Sequence, residues 1–318
     1  MTTTAFFLIL FSAGLHASWN LLAKKSHMTF AFYTTMMIVD MLMGAWVLFV
    51  MPVRLGALSP TFYLVTCGAA LGETIYCAGL VMSYRRMDMS AAYPMMRSLP
   101  LIFTAFITSV FGVGKPLSLL ALIGMATVFA GCVVMPLDKF SDFRLSNYLD
   151  KTIAFVLMAA LGTTLYTICD SEAQTAMHAC APQVSDTMVS CTYYELRHIA
   201  VVAALGLVVL AMPSARAEAA AMPRNGMWTP LLAGVFAGLT YILVLLAMNH
   251  VSNVSYVQGF RQLGLVIGML EGIFILKERC TLTRVTGITL IVSGLVLTVL
   301  DPVAVRNWCI FLLEKLAE

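Results

Sequence analysis

Apolar windows of about 20 residues, the length a helix needs to cross a hydrocarbon core, recur along the whole chain with short polar breaks between them. No soluble core could absorb so much apolar surface. Of the 318 residues, 60% are hydrophobic and 11% charged, against roughly 25% charged in an ordinary soluble domain.

The pattern predicts an all-α polytopic membrane protein of about ten transmembrane helices, near 4–23, 29–51, 61–83, 89–112, 117–136, 152–170, 187–212, 227–249, 253–276 and 281–300. The first window has no Lys or Arg ahead of it and further spans follow, so it reads as helix and not as a signal peptide. Almost nothing is left for a soluble domain. An even count of spans puts both termini on one side.

Lys and Arg are unevenly spread over the loops. The hairpins after helices 1, 3, 5, 7 and 9 hold twelve: Lys24, Lys25, Arg85, Arg86, Lys139, Arg144, Lys151, Arg216, Arg224, Lys277, Arg279 and Arg284. The opposite side holds four, Arg54, Lys115, Arg306 and Lys315. By the positive-inside rule the richer side faces the cytoplasm and both termini face outward.

The eight cysteines lie mostly inside apolar windows, without CxxC pairs or histidines at metal-ligand spacing. They read as small hydrophobes, and neither a metal nor any other cofactor is expected.

The chain also repeats itself. Ser90 to Asp138 and Asn253 to Asp301 match at a constant offset of 163, which sets Tyr93 on Tyr256, Gly124 on Gly287, Gly131 on Gly294 and Asp138 on Asp301. Arg97 falls one residue early relative to Arg261. Five helices per half is an odd number, so the two copies enter the membrane in opposite senses, as two inverted five-helix repeats. The expected division is 1–138 for the first repeat, 139–151 for a polar connector, 152–301 for the second repeat and 302–318 for a short interfacial tail. Such symmetry places a substrate site near the bilayer midplane, between the halves.

The helix 1 motif HASWNLLAKK (His16 to Lys25), the glycine-bearing end of each half and the Leu276-Lys277-Glu278 segment together resemble EamA-type members of the drug/metabolite transporter superfamily. The first half departs from that pattern, with Gly114-Lys115-Pro116 where the family usually shows an acidic turn. The resemblance covers nearly the whole chain. It implies secondary transport of a small metabolite without an ATP-hydrolysing subunit, in a bacterial inner membrane, and it leaves room for a homodimer. It also implies cytoplasmic termini, against the charge distribution.

An ionisable side chain at mid-bilayer costs about 2.5–3.5 kcal/mol on insertion scales, so each one is a candidate for function. His16, Trp19 and Asn20 share a face of helix 1. Tyr93 and Arg97 in helix 4 have counterparts in Tyr256 and Arg261 of helix 9, and the two arginines could hold an anionic group. Alternatively each arginine is tied up in an ion pair, Arg97 with Glu73 and Arg261 with Glu271. Tyr166 and Asp170 share a face of helix 6, and helix 7 carries Tyr194, Glu195, Arg197 and His198. Substrate contact is therefore expected from His16, Trp19, Asn20, Tyr93, Arg97, Tyr166, Asp170, Tyr194, Tyr256 and Arg261. Proton coupling is expected from Glu73, the deepest acid, and from a Glu195–His198 pair, with Arg197 pointing elsewhere.

These residues predict a secondary transporter moving a small amino-acid-like, zwitterionic or anionic metabolite by alternating access, with proton-coupled export as one mode. The partners expected are that solute and the lipid bilayer, with no nucleic acid. A flippase for a lipid-linked head group would share the architecture. A membrane enzyme is disfavoured, because GxSxG and HExxH are missing, and no GxxxxGK[ST] loop is present to bind nucleotide.

Overall fold

The computed structural model describes residues 1–24, 29–86, 89–143, 152–274 and 279–300. Within them the chain is all-helical, with no strand. The helices are α1 (Thr3–Lys24), α2 (Phe30–Gly44), α3 (Val47–Val50), α4 (Pro60–Tyr84), α5 (Met89–Phe111), α6 (Leu119–Val134), α7 (Ile153–Cys180), α8 (Asp186–Ala211), α9 (Pro213–Asn225), α10 (Trp228–Met248), α11 (Ser255–Phe260), α12 (Leu263–Phe274) and α13 (Leu282–Val299). The Leu276-Lys277-Glu278 segment, the tail at 302–318, most of the connector and the side chains of Asn20, Tyr93 and Glu271 lie outside the described residues.

Six helical segments are long and apolar enough to cross a membrane: Phe30–Val50, Pro60–Tyr84, Ile153–Cys180, Asp186–Ala211, Trp228–Met248 and Leu282–Val299. Thr3–Ala17, Met95–Phe111 and Leu119–Val134 are shorter apolar helices. Large apolar side chains such as Phe11, Phe49, Leu64, Phe106, Leu207 and Phe274 point outward, the arrangement expected where lipid is the solvent. The protein is an integral membrane protein.

Local chemistry starts these helices. Thr29, Ser59, Ser118, Ser185 and Thr281 sit as N-caps whose side chains accept from the backbone of Phe32, Phe62, Ala121, Met188 and Arg284. Gly112 and Gly114, at φ 68° and 74°, turn the chain between α5 and α6. That turn is tied to the α10–α11 loop by Lys115 N donating to Ser252 O and by Asn253 Nδ2 donating to Val113 O and Lys115 O. Thr2 N donates to His250 O, so the N-terminus lies on this same face.

Three helices depart from the expected pattern. α7 runs ten residues past the expected end at residue 170, because its polar stretch finds partners inside the bundle: Gln174 accepts from Ser190 and Asn249. The region between the seventh and eighth spans is the alanine-rich helix α9 rather than a plain loop, with Pro213 at its first turn. The ninth span is broken at Arg261 and Gln262 into α11 and α12.

Packing is closest where glycines meet. α6 crosses α13 so that a methyl group on Gly124 would lie 2.6 Å from Gly294 O and one on Gly131 would lie 2.8 Å from Gly287 O. α4 and α7 do the same: a methyl on Gly162 would lie 2.4 Å from Tyr76 N, and one on Gly79 2.4 Å from Ala159 N. These are backbone-to-backbone contacts of the small-residue kind. Of the glycines spaced by four in α12, Gly268 has nothing within 4 Å and makes no such contact.

Candidate functional site

A cavity of about 60 Å³, room for a few waters, lies between α1, α2, α4, α5, α7, α8, α10 and α11. Three groups of polar side chains surround it.

The first is centred on Arg197, fully buried in α8. Its Nη2 lies 2.6 Å from Glu73 Oε2 of α4, and its Nε lies 3.0 Å from Asp170 Oδ1 of α7. The hydroxyl of Tyr193 donates to Asp170 Oδ1 at 2.5 Å, that of Tyr241 donates to Asp170 Oδ2, and that of Tyr33 donates to Glu73 Oε1. The guanidinium also stacks over the Tyr241 ring, 4.2 Å from its centroid. Every charge here is paired and hydrogen-bonded, which is what makes such burial tolerable.

The second group lies on the opposite wall. Arg97 Nη1 lies 2.9 Å from His16 Nε2, and Arg97 Nη2 donates to Arg261 O at 2.9 Å, in the break between α11 and α12. Trp19 Nε1 donates to His16 Nδ1 at 3.0 Å. The exchange is mutual, since Gln262 Nε2 donates to Arg97 O at 2.9 Å. Among the described residues neither Arg97 nor Arg261 has a carboxylate within ion-pair distance. Among these residues Arg97 Nε and Arg261 Nη1 are buried with no hydrogen-bond partner, and Arg261, 7% exposed, lines the cavity.

The third group joins α2 to α8. Asp40 Oδ2 lies 3.5 Å from His198 Nε2, and His198 Nδ1 lies 2.7 Å from Tyr194 O. Aromatic faces of Trp19, Tyr33, Tyr76, Tyr166 and Tyr241 complete the walls.

Of the residues expected to touch substrate, His16, Trp19, Arg97, Tyr166 and Arg261 line the cavity. Asp170 sits behind it, held by Arg197, Tyr193 and Tyr241. Tyr194 lies beside an apolar recess of about 160 Å³ on the outer side of α2, α8 and α10, and half-buried Tyr256 packs against the apolar core away from the cavity. Glu73 pairs with Arg197 and not with Arg97: α8 packs on α4 and brings residue 197 to it, while Arg97 donates to Arg261 O at the helix break, a carbonyl that also accepts from Gly264 N. His198 faces Asp40 and not Glu195: three residues apart on α8, they diverge, and Glu195 lies against Gly44 at the end of α2. Arg197 does not point elsewhere but holds Glu73 and Asp170 at the centre of the site. Tyr33, Asp40, Tyr241 and Gln258 also line the cavity. The signal for Arg197 was the presence of two acids, Glu73 and Asp170, deep in other apolar windows.

Toward the face that carries the N-terminus the cavity is closed. Tyr193 packs edge-on against Phe62, and beyond them Ser190 donates to Gln174 Oε1 at 2.7 Å while Asn249 Nδ2 donates to Ser190 Oγ at 2.7 Å. Outside this polar layer a recess of about 450 Å³ opens, lined in part by Gly114, His178, Asp186 and Asn253.

One solved structure, described as "Crystal structure of protein", is similar in fold, with a TM-score of 0.70 at 16% identity over 94% of this chain and 97% of the other. No curated protein sequence matches the chain significantly. The sequence profile of the family described as Sugar transport protein matches residues 33–306, a span that begins after His16 and Trp19 and includes the rest of the cavity. The chain belongs to this family of membrane transporters.

Proposed function

We propose that the chain is a secondary transporter that carries a small hydroxylated metabolite bearing an acidic group, of the sugar-acid type, by alternating access between two inverted five-helix halves. The observation that carries the reading is a pair of arginines on one wall of a tyrosine-lined cavity, buried Arg261 and half-buried Arg97, neither of which meets a carboxylate among the described residues. A buried cation without a counter-ion is costly, and a carboxylate entering the cavity would supply one in bidentate geometry. The aromatic faces opposite suit the C–H face of a sugar ring, in keeping with the family's description.

The halves are 1–138 and 152–301, related as the drug/metabolite transporter resemblance implies. Their symmetry is supported by packing. α1 lies on α10 and α4 on α7, the same relation with the halves exchanged, while α6 meets α13 at the repeat-related glycines. A broken helix beside the site, as between α11 and α12 at cavity-lining Arg261, is a recurring feature of such transporters. The closed polar layer on one face and the recess beyond it support a form shut toward that side.

The test is equilibrium counterflow in proteoliposomes with labelled D-glucuronate, D-glucose and L-alanine, comparing wild type with Arg261→Gln. Exchange of D-glucuronate that Arg261→Gln abolishes is the expected result. Exchange of D-glucose or L-alanine alone, untouched by Arg261→Gln, would leave the arginines a structural role and overturn the acidic-group reading.

A further inference from the structure

We propose that Asp40 and His198 hold one proton between them and that this shared proton is the coupling ion of the transport cycle; the second half of the proposal rests on the transport reading above, the first does not.

The argument begins with the imidazole. A backbone carbonyl can only accept, and Tyr194 O lies 2.7 Å from His198 Nδ1, so Nδ1 carries a hydrogen and donates it. In a neutral ring Nε2 is then a bare acceptor. That bare nitrogen would face Asp40 Oδ2 at 3.5 Å, with both side chains 1% exposed, and two acceptors cannot satisfy one another. One proton on the pair removes this opposition, either as imidazolium against carboxylate at ion-pair distance or as a carboxylic acid facing the ring. In both forms the pair is electrically neutral.

The surroundings ask for the same neutrality. From α8, Tyr194 packs over the His198 ring, Arg197 stands next in sequence, and Glu195 lies toward Gly44. From α4 comes Glu73, from α7 Asp170, from α10 Tyr241, whose ring meets His198 edge-on, and from α2 itself Tyr33. Arg197 is the one cation among them and already serves two carboxylates, Glu73 and Asp170. A bare Asp40 carboxylate beside a neutral ring would add a third negative charge to the same buried cluster, and among the described residues Asp40 Oδ1 makes no hydrogen bond.

The position links the proton to motion. Asp40 is on α2 and His198 on α8, so the proton bridges helices from the two proposed halves. Both residues also reach the cavity. While the α2–α8 seam is shut, the pair keeps its proton. Once water enters the seam, carboxylate and imidazole are each solvated, and the proton passes to water on the side then open. A state that binds a proton and a state that does not are thereby coupled to cavity access.

Two measurements test this. The first needs no solute: infrared spectra of the purified full-length protein at pH 7, wild type against Asp40→Asn and against His198→Gln. The expected difference is a carboxylic-acid C=O band or an imidazolium ring band that the wild type has and Asp40→Asn lacks. An ionised Asp40 beside a neutral imidazole overturns the shared proton. The second compares, in proteoliposomes, accumulation of labelled D-glucuronate under a pH gradient with each protein's own counterflow rate. One proton per solute allows about ten-fold accumulation per pH unit. Wild type should approach that, and both variants should lose it relative to their counterflow. Wild-type counterflow without any response to the gradient overturns the coupling while the transport reading stands; no counterflow in the wild type overturns the transport reading, and the spectra then decide the proton site alone.

Discussion

Arg197 Nη2 lies 2.6 Å from Glu73 Oε2, and the same guanidinium reaches Asp170 with its Nε at 3.0 Å, so one side chain of α8 fastens both α4 and α7. Breaking a buried pair by removing one partner leaves the other charge uncompensated, at about 3–5 kcal/mol. Arg197→Met strands two carboxylates and should lower the melting temperature of the purified protein more than Glu73→Gln, which leaves Arg197 with Asp170. Equal melting temperatures for the three proteins would show that the cluster contributes nothing to stability.

Arg261 presents the opposite case. Among the described residues its Nη1 is buried with no hydrogen-bond partner, so replacing the cation relieves a penalty rather than creating one. Arg261→Met should melt at or above the wild-type temperature while losing counterflow of D-glucuronate. A variant that melts lower would mean that the arginine holds the bundle together.

The glycine seam between α6 and α13 has no slack. A methyl on Gly124 would lie 2.6 Å from Gly294 O and 2.8 Å from Thr298 N, both backbone atoms. Gly124→Ala should therefore destabilise by about 1–3 kcal/mol, the usual range for overpacking, and Gly268→Ala, with open space around it, should change stability by less than about 0.5 kcal/mol. Thermal unfolding of the two variants checks the contrast.

Orientation is open to a labelling test. Cys280 is exposed beside Arg279 and Arg284, on the loop side rich in Lys and Arg, whereas Cys180 ends α7 on the face that carries the N-terminus. With the Lys- and Arg-rich loops in the cytoplasm, a charged maleimide added to intact cells should label a variant retaining Cys180 and spare one retaining Cys280. The reverse pattern would support cytoplasmic termini.

Much of the helical framework can be read from hydropathy. The expected spans at 29–51, 61–83, 187–212, 227–249 and 281–300 lie within a few residues of Phe30–Val50, Pro60–Tyr84, Asp186–Ala211, Trp228–Met248 and Leu282–Val299, because desolvation of a long apolar run depends on local sequence alone. What hydropathy misses depends on distant partners. The extension of α7 past Asp170 requires Ser190 and Asn249 to receive Gln174, and nothing near residue 174 announces them. The break at Arg261 depends on Arg97 and Gln262 trading contacts across α5 and α11.

The site divides along the same line. His16, Trp19, Arg97, Tyr166 and Arg261 can be picked out as polar or aromatic residues at mid-window, and they line the cavity. Which acid meets which base could not be picked out that way. Helical periodicity sets Glu195 near His198, but periodicity fixes only the angle around one axis, and the neighbour that reaches His198 is Asp40 from α2.

The α6–α13 crossing also constrains how the bundle can move. Two backbones that touch through glycine have no intervening layer of side chains able to shear, so this crossing behaves as an axle: the helices can swivel about it but not slide along it. The opposite seam, where α2 meets α8, is bridged by side chains, Met43 and Tyr194 beside the outer recess and Asp40 and His198 within, and these can re-pack. Rocking of the molecule would thus be stiff at one edge and compliant at the other, with the cavity in between.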